Sequence, residues 1–472
     1  MMRPWLAGIG LGVGLAYGLT ACKPSSLIDV KPPETVIDPS QVGTVTGAIQ
    51  LRNSALLGMT YPLGSIGSGM LALSGLLTDE LAEGGSPITG VDERRVNDPS
   101  YGAQANGGLY IALHRARIRA QVARQALQLY ANDAPGAPRA WQGEMYALEG
   151  YTVLWFAENF CSGIPLTSVP LVGEQQMTRG FTTQELFTRA IALFDSAMVV
   201  GADSAQYVNL ARVGKGRALL GLGEFAAADS AVRDVPTDFV YLVRFTASGD
   251  YYNAFGYFLG YQYRVQDHEG TNGLIWSTDP RTAITTAAPF GEMLVPAKYN
   301  ITPSGDLDPT TPQLGAPVRL ADGLEARLIQ AEAALAAGDA SWLTTLNMLR
   351  ATCVGSAACA PVPGITTANL PDTLTDPGST AARQDLLFAE RAKWLYLTAH
   401  REGDLRRLAH VYRRDRQTLW PTGQISSPAF PPLYGTPTPE NGKQYGTDVV
   451  FASNPSERAS NPLYGGCYDY NP

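Results

Sequence analysis

GLEARLIQAEAALAAGDASWLTTLNMLR, Gly323 to Arg350, is the stretch whose reading decides the fold. Leu324, Leu328, Ala331 and Leu335 recur three or four residues apart, so they form one stripe on a helix. Gly338-Asp339 then marks a turn, because glycine tolerates the left-handed backbone that ends many helices. The alanines let two paired helices approach closely. The same plan recurs in NLARVGKGRALLGLGEFAAADSAV, Asn209 to Val232, with Gly221 and Gly223 placed at the turn before Phe225.

Helical spacing continues upstream. Tyr110 to Tyr130 and Arg139 to Phe160 carry no internal proline and read as two antiparallel helices around the Asn132-to-Pro138 turn. Thr182 to Val200 places Leu186, Ile191, Phe194 and Met198 on one side, and a last helix is expected over about Asp385 to His400. Repeated helix pairs that bury their faces only against neighbours resemble tetratricopeptide units. The expected fold class is mostly α, a tetratricopeptide-like superhelix with long irregular loops and little β structure.

The N-terminus carries a different signal. Arg3, an apolar run from Trp5 to Leu19 and then Leu19-Thr20-Ala21-Cys22 describe a lipoprotein signal peptide over residues 1–21, with lipidation expected at Cys22. A spanning helix needs about 20 apolar residues, and this run is shorter and carries five glycines. Residues 22–40 (CKPSSLIDVKPPETVIDPS) read as an extended tether, since prolines disfavour helix. Residues 41–472 read as a single domain.

The chain has 43 acidic residues and 35 basic ones, one of which is Arg3, so the mature net charge is −9. That balance argues against nucleic acid as a partner, because phosphates must be neutralised by Lys and Arg. Four cysteines remain beyond Cys22 in an exported protein, and they allow three pairings. Cys353 with Cys359 and Cys161 with Cys467 is the preferred set, with free buried thiols as the alternative. No CxxC or nearby histidine suggests zinc, and Asp306 with Asp308 reads as a turn rather than a calcium site. No metal and no cofactor are expected.

Taken in order, several short motifs resemble the SusD/RagB family of outer-membrane nutrient-binding lipoproteins. They begin with Cys22 followed by Leu27-Ile28-Asp29-Val30, Thr78-Asp79-Glu80 and Gly163-Ile164-Pro165-Leu166. Val235-Pro236-Thr237-Asp238-Phe239, Asp279-Pro280-Arg281, the repeat around Glu325 to Asp339, Glu390-Arg391, His400-Arg401, Asp404 to Arg407 and Tyr445-Gly446-Thr447-Asp448 complete the series. Thr398-Ala399 departs from the glutamate and glycine that members often carry before the His-Arg pair, and Lys23 stands where an acidic cluster is common. The resemblance implies a helical scaffold and a lipid-anchored, cell-surface location on an outer membrane. It also implies a SusC-like TonB-dependent transporter as partner and a glycan, oligosaccharide or peptide as ligand, with no catalysis.

The resemblance places ligand residues in two insertions, near 84–101 and 238–280. The candidates are Arg94, Asn97 and Tyr101 from the first, and Tyr251, Tyr252, Arg264, Asp267, Asn272 and Trp276 from the second. Aromatic rings stack on sugar faces while polar groups bond the hydroxyls; the competing reading is core packing, where Tyr and Trp are equally at home. Asp404 to Arg407 reads as a structural ion-pair network. Two other functions stand as alternatives, a periplasm-facing repeat scaffold and a glycoside hydrolase. The latter needs only two carboxylates, whereas Gly64 to Gly69 (GSIGSG) lacks a serine-hydrolase elbow.

Overall fold

The computed structural model describes residues 42–470 apart from 66–67, 84–88, 99–104, 247–250, 256–262, 266–267, 270–273, 277–278, 283, 287–293, 297–314, 354–372 and 426–443. The Cys22 lipobox, the tether, Asp306, Asp308 and Cys359 lie outside the described residues.

The helices pack in sequence order. Tyr110–Tyr130 lies against Ala140–Asn159, which lies against Thr183–Val200, then Ala205–Leu222, Phe225–Val232, Gly323–Ala336 and Ser341–Thr352. Thr380–Trp394 packs on Gly323–Ala336, and Arg401–His410 on Ala140–Asn159 and Met70–Leu77. Each helix covers its neighbour, as a solenoid of helical repeats requires, and the architecture is the mostly helical, tetratricopeptide-like one.

Local signals set the helix ends. Thr182 and Glu185 form a reciprocal capping box at the start of Thr183–Val200, with contacts of 3.2 and 2.8 Å. Asp322 caps Gly323–Ala336 by accepting from Glu325 N at 2.7 Å. Gly223 (φ 75°) and Gly338 (φ 72°) are the left-handed turns inside the two repeat units. Gly221 is instead part of the Ala205–Leu222 helix, where its missing side chain makes room for Phe187. Phe194 is accommodated in the same way: a Cβ at Gly150 would lie 2.8 Å from its ring, and one at Gly214 would also clash.

The core centres on Ala140–Asn159, which is buried around nearly its whole circumference. Tyr151, Trp155, Phe156 and Phe160 there meet Phe194, Tyr110 and Phe451 edge-on or tilted. The Cys161–Cys467 disulfide, spanning a sequence separation of 306, pins the C-terminal tail to the end of this helix. Cys353 is buried and disulfide-bonded as well, its partner lying outside the described residues.

Two features differ from the expected layout. The last helix, expected over about Asp385 to His400, runs instead over Thr380–Trp394, and a further helix, Arg401–His410, follows it. Between them Leu397 (φ 53°) and Ala399 (φ 60°) adopt left-handed backbone. The break turns the chain onto Glu80, whose carboxylate accepts from Leu397 N at 3.1 Å and whose backbone oxygen accepts from Tyr396 Oη at 3.1 Å. The second difference is the region before Tyr110, where Val45–Gly58 and Met70–Leu77 are helical and pack on the scaffold.

Short antiparallel strand pairs tie the insertions down. Leu81–Glu83 pairs with Tyr263–Val265, and Val240–Val243 with Val318–Asp322.

Candidate ligand-binding cleft

The Val45–Gly58 helix packs on Tyr110–Tyr130, and through Met59 the chain leads directly into the short Thr60–Gly64 helix. Phe245 and Asn253 close over this corner: a Cβ at Gly64 would lie 2.7 Å from the Phe245 ring and 3.1 Å from Asn253 Oδ1. Asn253 is buried and donates to Ala316 O at 2.9 Å, while Phe255 packs on Tyr263 with centroids 5.4 Å apart. Those two anchors hold Tyr251 and Tyr252 half-buried at the rim.

The result is a cleft of about 400 Å³ lined by Tyr61, Tyr251, Tyr252, Arg115, Arg119 and small residues, within the ordinary size of small-molecule sites. Tyr61 is 47% exposed. Gly58 sets the position of Arg119, because a Cβ there would come within 2.8 Å of Arg119 Cδ. Two larger cavities, of about 610 and 910 Å³, lie among the helices. No tyrosine or tryptophan lines either among the described residues, so the smaller cleft is the better surface for a flat, partly apolar ligand.

The remaining sequence candidates fall elsewhere. Arg94 is 1% exposed, donates from Nε to Asp448 O at 3.1 Å and also bonds Pro421 O. Asn97 donates from Nδ2 to Val450 O at 3.0 Å, and its backbone N–H meets Asp448 Oδ2 at 2.8 Å. Both side chains strap the segment around residue 95 to the C-terminal stretch 448–450, and neither lines the cleft. Trp276 is 0% exposed, donates from Nε1 to Asp79 O at 2.9 Å and packs on Tyr396 with centroids 4.9 Å apart. It is a core residue, the packing reading of that aromatic run, because its ring has no solvent face on which a ligand could stack. Arg264 sits on the strand opposite Ala82. Tyr101, Asp267 and Asn272 lie outside the described residues.

Tyr61, Arg115 and Arg119 were not among the sequence candidates, although a signal was present. Tyr110–Tyr130 carries four arginines and no acidic residue in a chain of net negative charge.

The Asp404-to-Arg407 motif is a buried ion-pair network. Arg391 meets Asp404 at 3.0 and 2.9 Å, and Arg407 meets Glu332 at 2.6 and 2.8 Å and Asp404 at 2.7 Å. Burial alone would raise the Asp404 carboxyl, but Arg391 and Arg407 overcome it and hold it well below the usual range. Beside it, Arg401 grips Glu269 at 2.5 Å through both nitrogens, and Arg281 bridges Asp279 and Glu390. Glu402 is the exception in this cluster: burial pushes its carboxyl up to about 7 despite a 3.0 Å bond from Trp420 Nε1 and nearby arginines.

Comparison with solved structures identifies the architecture. A SusD-like carbohydrate-binding protein from Bacteroides vulgatus superposes with a TM-score of 0.59 at 13% identity, over 90% of this chain and 98% of that one. The fold is that of the SusD-like proteins. Surface glycan-binding protein A from Bacteroides uniformis (TM-score 0.57, 12% identity, 90% and 99% covered) has a similar fold. So has a laminarin-binding SusD-like protein (TM-score 0.55, 14% identity, 80% and 96% covered). No family model and no curated protein matches the sequence. The SusD-like fold is therefore shared at a level of identity where side chains have diverged, and the cleft has to be read from this chain's own residues.

Proposed function

We propose that this chain is a SusD/RagB family lipoprotein that binds a glycan in the Tyr61–Tyr251–Tyr252 cleft. In this reading Cys22 anchors it to an outer membrane, and it hands its ligand to a TonB-dependent transporter. The observation that carries the reading is the cleft itself: three tyrosines converge at its rim beside two arginines. Rings of this kind cover the apolar face of a sugar, while hydroxyl and guanidinium groups take up its oxygens. Solved proteins of similar fold are described as binding carbohydrate, a surface glycan and laminarin. The mechanism is capture and release, with no bond made or broken.

Glycan-array binding by the lipid-free protein tests the cleft, with Tyr61→Ala, Tyr251→Ala and Tyr252→Ala as variants. Binding should fall about tenfold or more in at least two of them, while the thermal midpoint stays near wild type because the rings are only partly buried. Unchanged binding in all three would remove the cleft from consideration. Pull-down of the lipidated protein from native membranes tests the transporter: co-purification of a large β-barrel supports delivery, whereas soluble periplasmic proteins alone favour an interaction scaffold.

A further inference from the structure

The arginines of this protein fall into two groups. Most of those inside the fold are spoken for. Arg217 is bidentate to Glu158, Arg401 to Glu269 and Arg407 to Glu332, and Arg124 pairs with Glu149 while lying over Tyr146. Arg115 and Arg119 line the cleft and form no hydrogen bond, ion pair or ring contact among the described residues. No carboxylate lines the cleft among the described residues.

The two sit four residues apart on Tyr110–Tyr130, which puts them about 6 Å apart along the axis and on one face. Like charges at this spacing destabilise a helix slightly, and nothing described nearby offsets them. The other arginines of the helix are used inward, Arg117 on Thr167 O and Arg124 on Glu149. A local rule broken at a cleft without structural compensation points to a ligand. Guanidinium groups bond oxyanions with two parallel N–H donors, and the tyrosine hydroxyls at the rim add neutral donors.

We infer that the cleft takes an acidic oligosaccharide, one whose sugars carry a carboxylate or a sulfate ester held by Arg115 and Arg119 while the tyrosines cover the sugar ring. The inference rests on the cleft being the glycan site. It separates local from global charge: the chain is net negative, yet at a Debye length of about 8 Å an anion in the cleft responds to these two cations more than to the distant surface.

The test is isothermal titration with three probes: a short oligogalacturonate, its carboxyl-reduced neutral counterpart, and a sulfated galactan oligosaccharide. The expected result is binding of one acidic probe at least about tenfold tighter than the neutral one. That preference should vanish in Arg115→Ala/Arg119→Ala and shrink on raising sodium chloride from 0.05 to about 0.5 M. Carboxylate or sulfate is decided by which acidic probe binds. The double variant should unfold at the wild-type midpoint, so lost binding will not be confused with lost fold. Equal or tighter binding of the neutral probe, unaffected by the double variant but lost in Tyr251→Ala, overturns the charge inference and leaves the cleft standing. Binding of any probe that ignores the tyrosine variants, or no binding by any probe, overturns the cleft reading and this inference with it.

Discussion

Arginine does opposite work at two places in this molecule. In the cluster formed by Arg281, Arg391, Arg401 and Arg407 each guanidinium is buried and bonded to carboxylates from another element. At the cleft, Arg115 and Arg119 are left without such partners among the described residues. A buried ion pair is costly to desolvate, and its loss on one side leaves an uncompensated charge in the core; Arg115, exposed, and Arg119, half-buried, keep contact with water and carry less of that liability. The first group therefore fixes how the last helices join the repeats, and the second is free to meet something from outside.

The largest effects should come from breaking the buried side. Arg401→Met should cost about 3–5 kcal/mol in chemical denaturation by stranding Glu269, and adding Glu269→Leu should recover most of that loss. If the double variant is as unstable as the single one, the pair does more than neutralise itself. Trp276→Ala should cost a comparable ~3–5 kcal/mol, since its ring is fully buried; wild-type stability with weakened ligand binding would return it to the list of site residues.

Removing the staple comes next. Cys161→Ser with Cys467→Ser should lower stability by about 2–5 kcal/mol and free the C-terminal tail, read as faster hydrogen exchange around residues 460–470.

The buried cluster also has an acid that works against it. Glu402 has a folded-state pKa of about 7 against 4.5 for the free group, so between those values the folded protein holds more protons than the unfolded one. Stability should thus decline as pH rises from about 4.5 to about 7, by up to about 3 kcal/mol, and level off above. Glu402→Gln keeps an acceptor for Trp420 and should flatten that decline; an unchanged pH profile would show that the surrounding arginines already hold Glu402 ionised. The smallest change in stability is expected at the cleft, where Arg115→Ala/Arg119→Ala should shift unfolding by no more than about 0.5 kcal/mol while abolishing the preference for acidic glycans.

Much of the scaffold was readable because its signals are local. Apolar spacing located the Tyr110–Tyr130, Arg139–Phe160 and Thr182–Val200 helices to within a residue or two of their observed ends, and Gly338 marked a true turn. The motif Asp404 to Arg407 was legible as a network because guanidinium forks match carboxylates. The break at Leu397–Ala399 was not legible, since it answers to Glu80, more than 300 positions away in the chain. The site was harder still. Tyr251 and Tyr252 entered the candidates as part of an aromatic run and line the cleft, but the same reasoning drew in Trp276, which the fold turns inward. Nothing in the order of residues says which side of a two-stranded insertion will face solvent.

The sequence by itself determined that the chain would be helical and repetitive, and where the central helices begin and end, because helical period, caps and turn glycines act over a few residues. Tertiary structure alone decided which tyrosines and arginines share a cleft. Tyr61, Arg115, Arg119 and Tyr251 come from three separate segments, and only the packing of Val45–Gly58 on Tyr110–Tyr130, with Phe245 and Asn253 closed over Gly64, brings them to one surface.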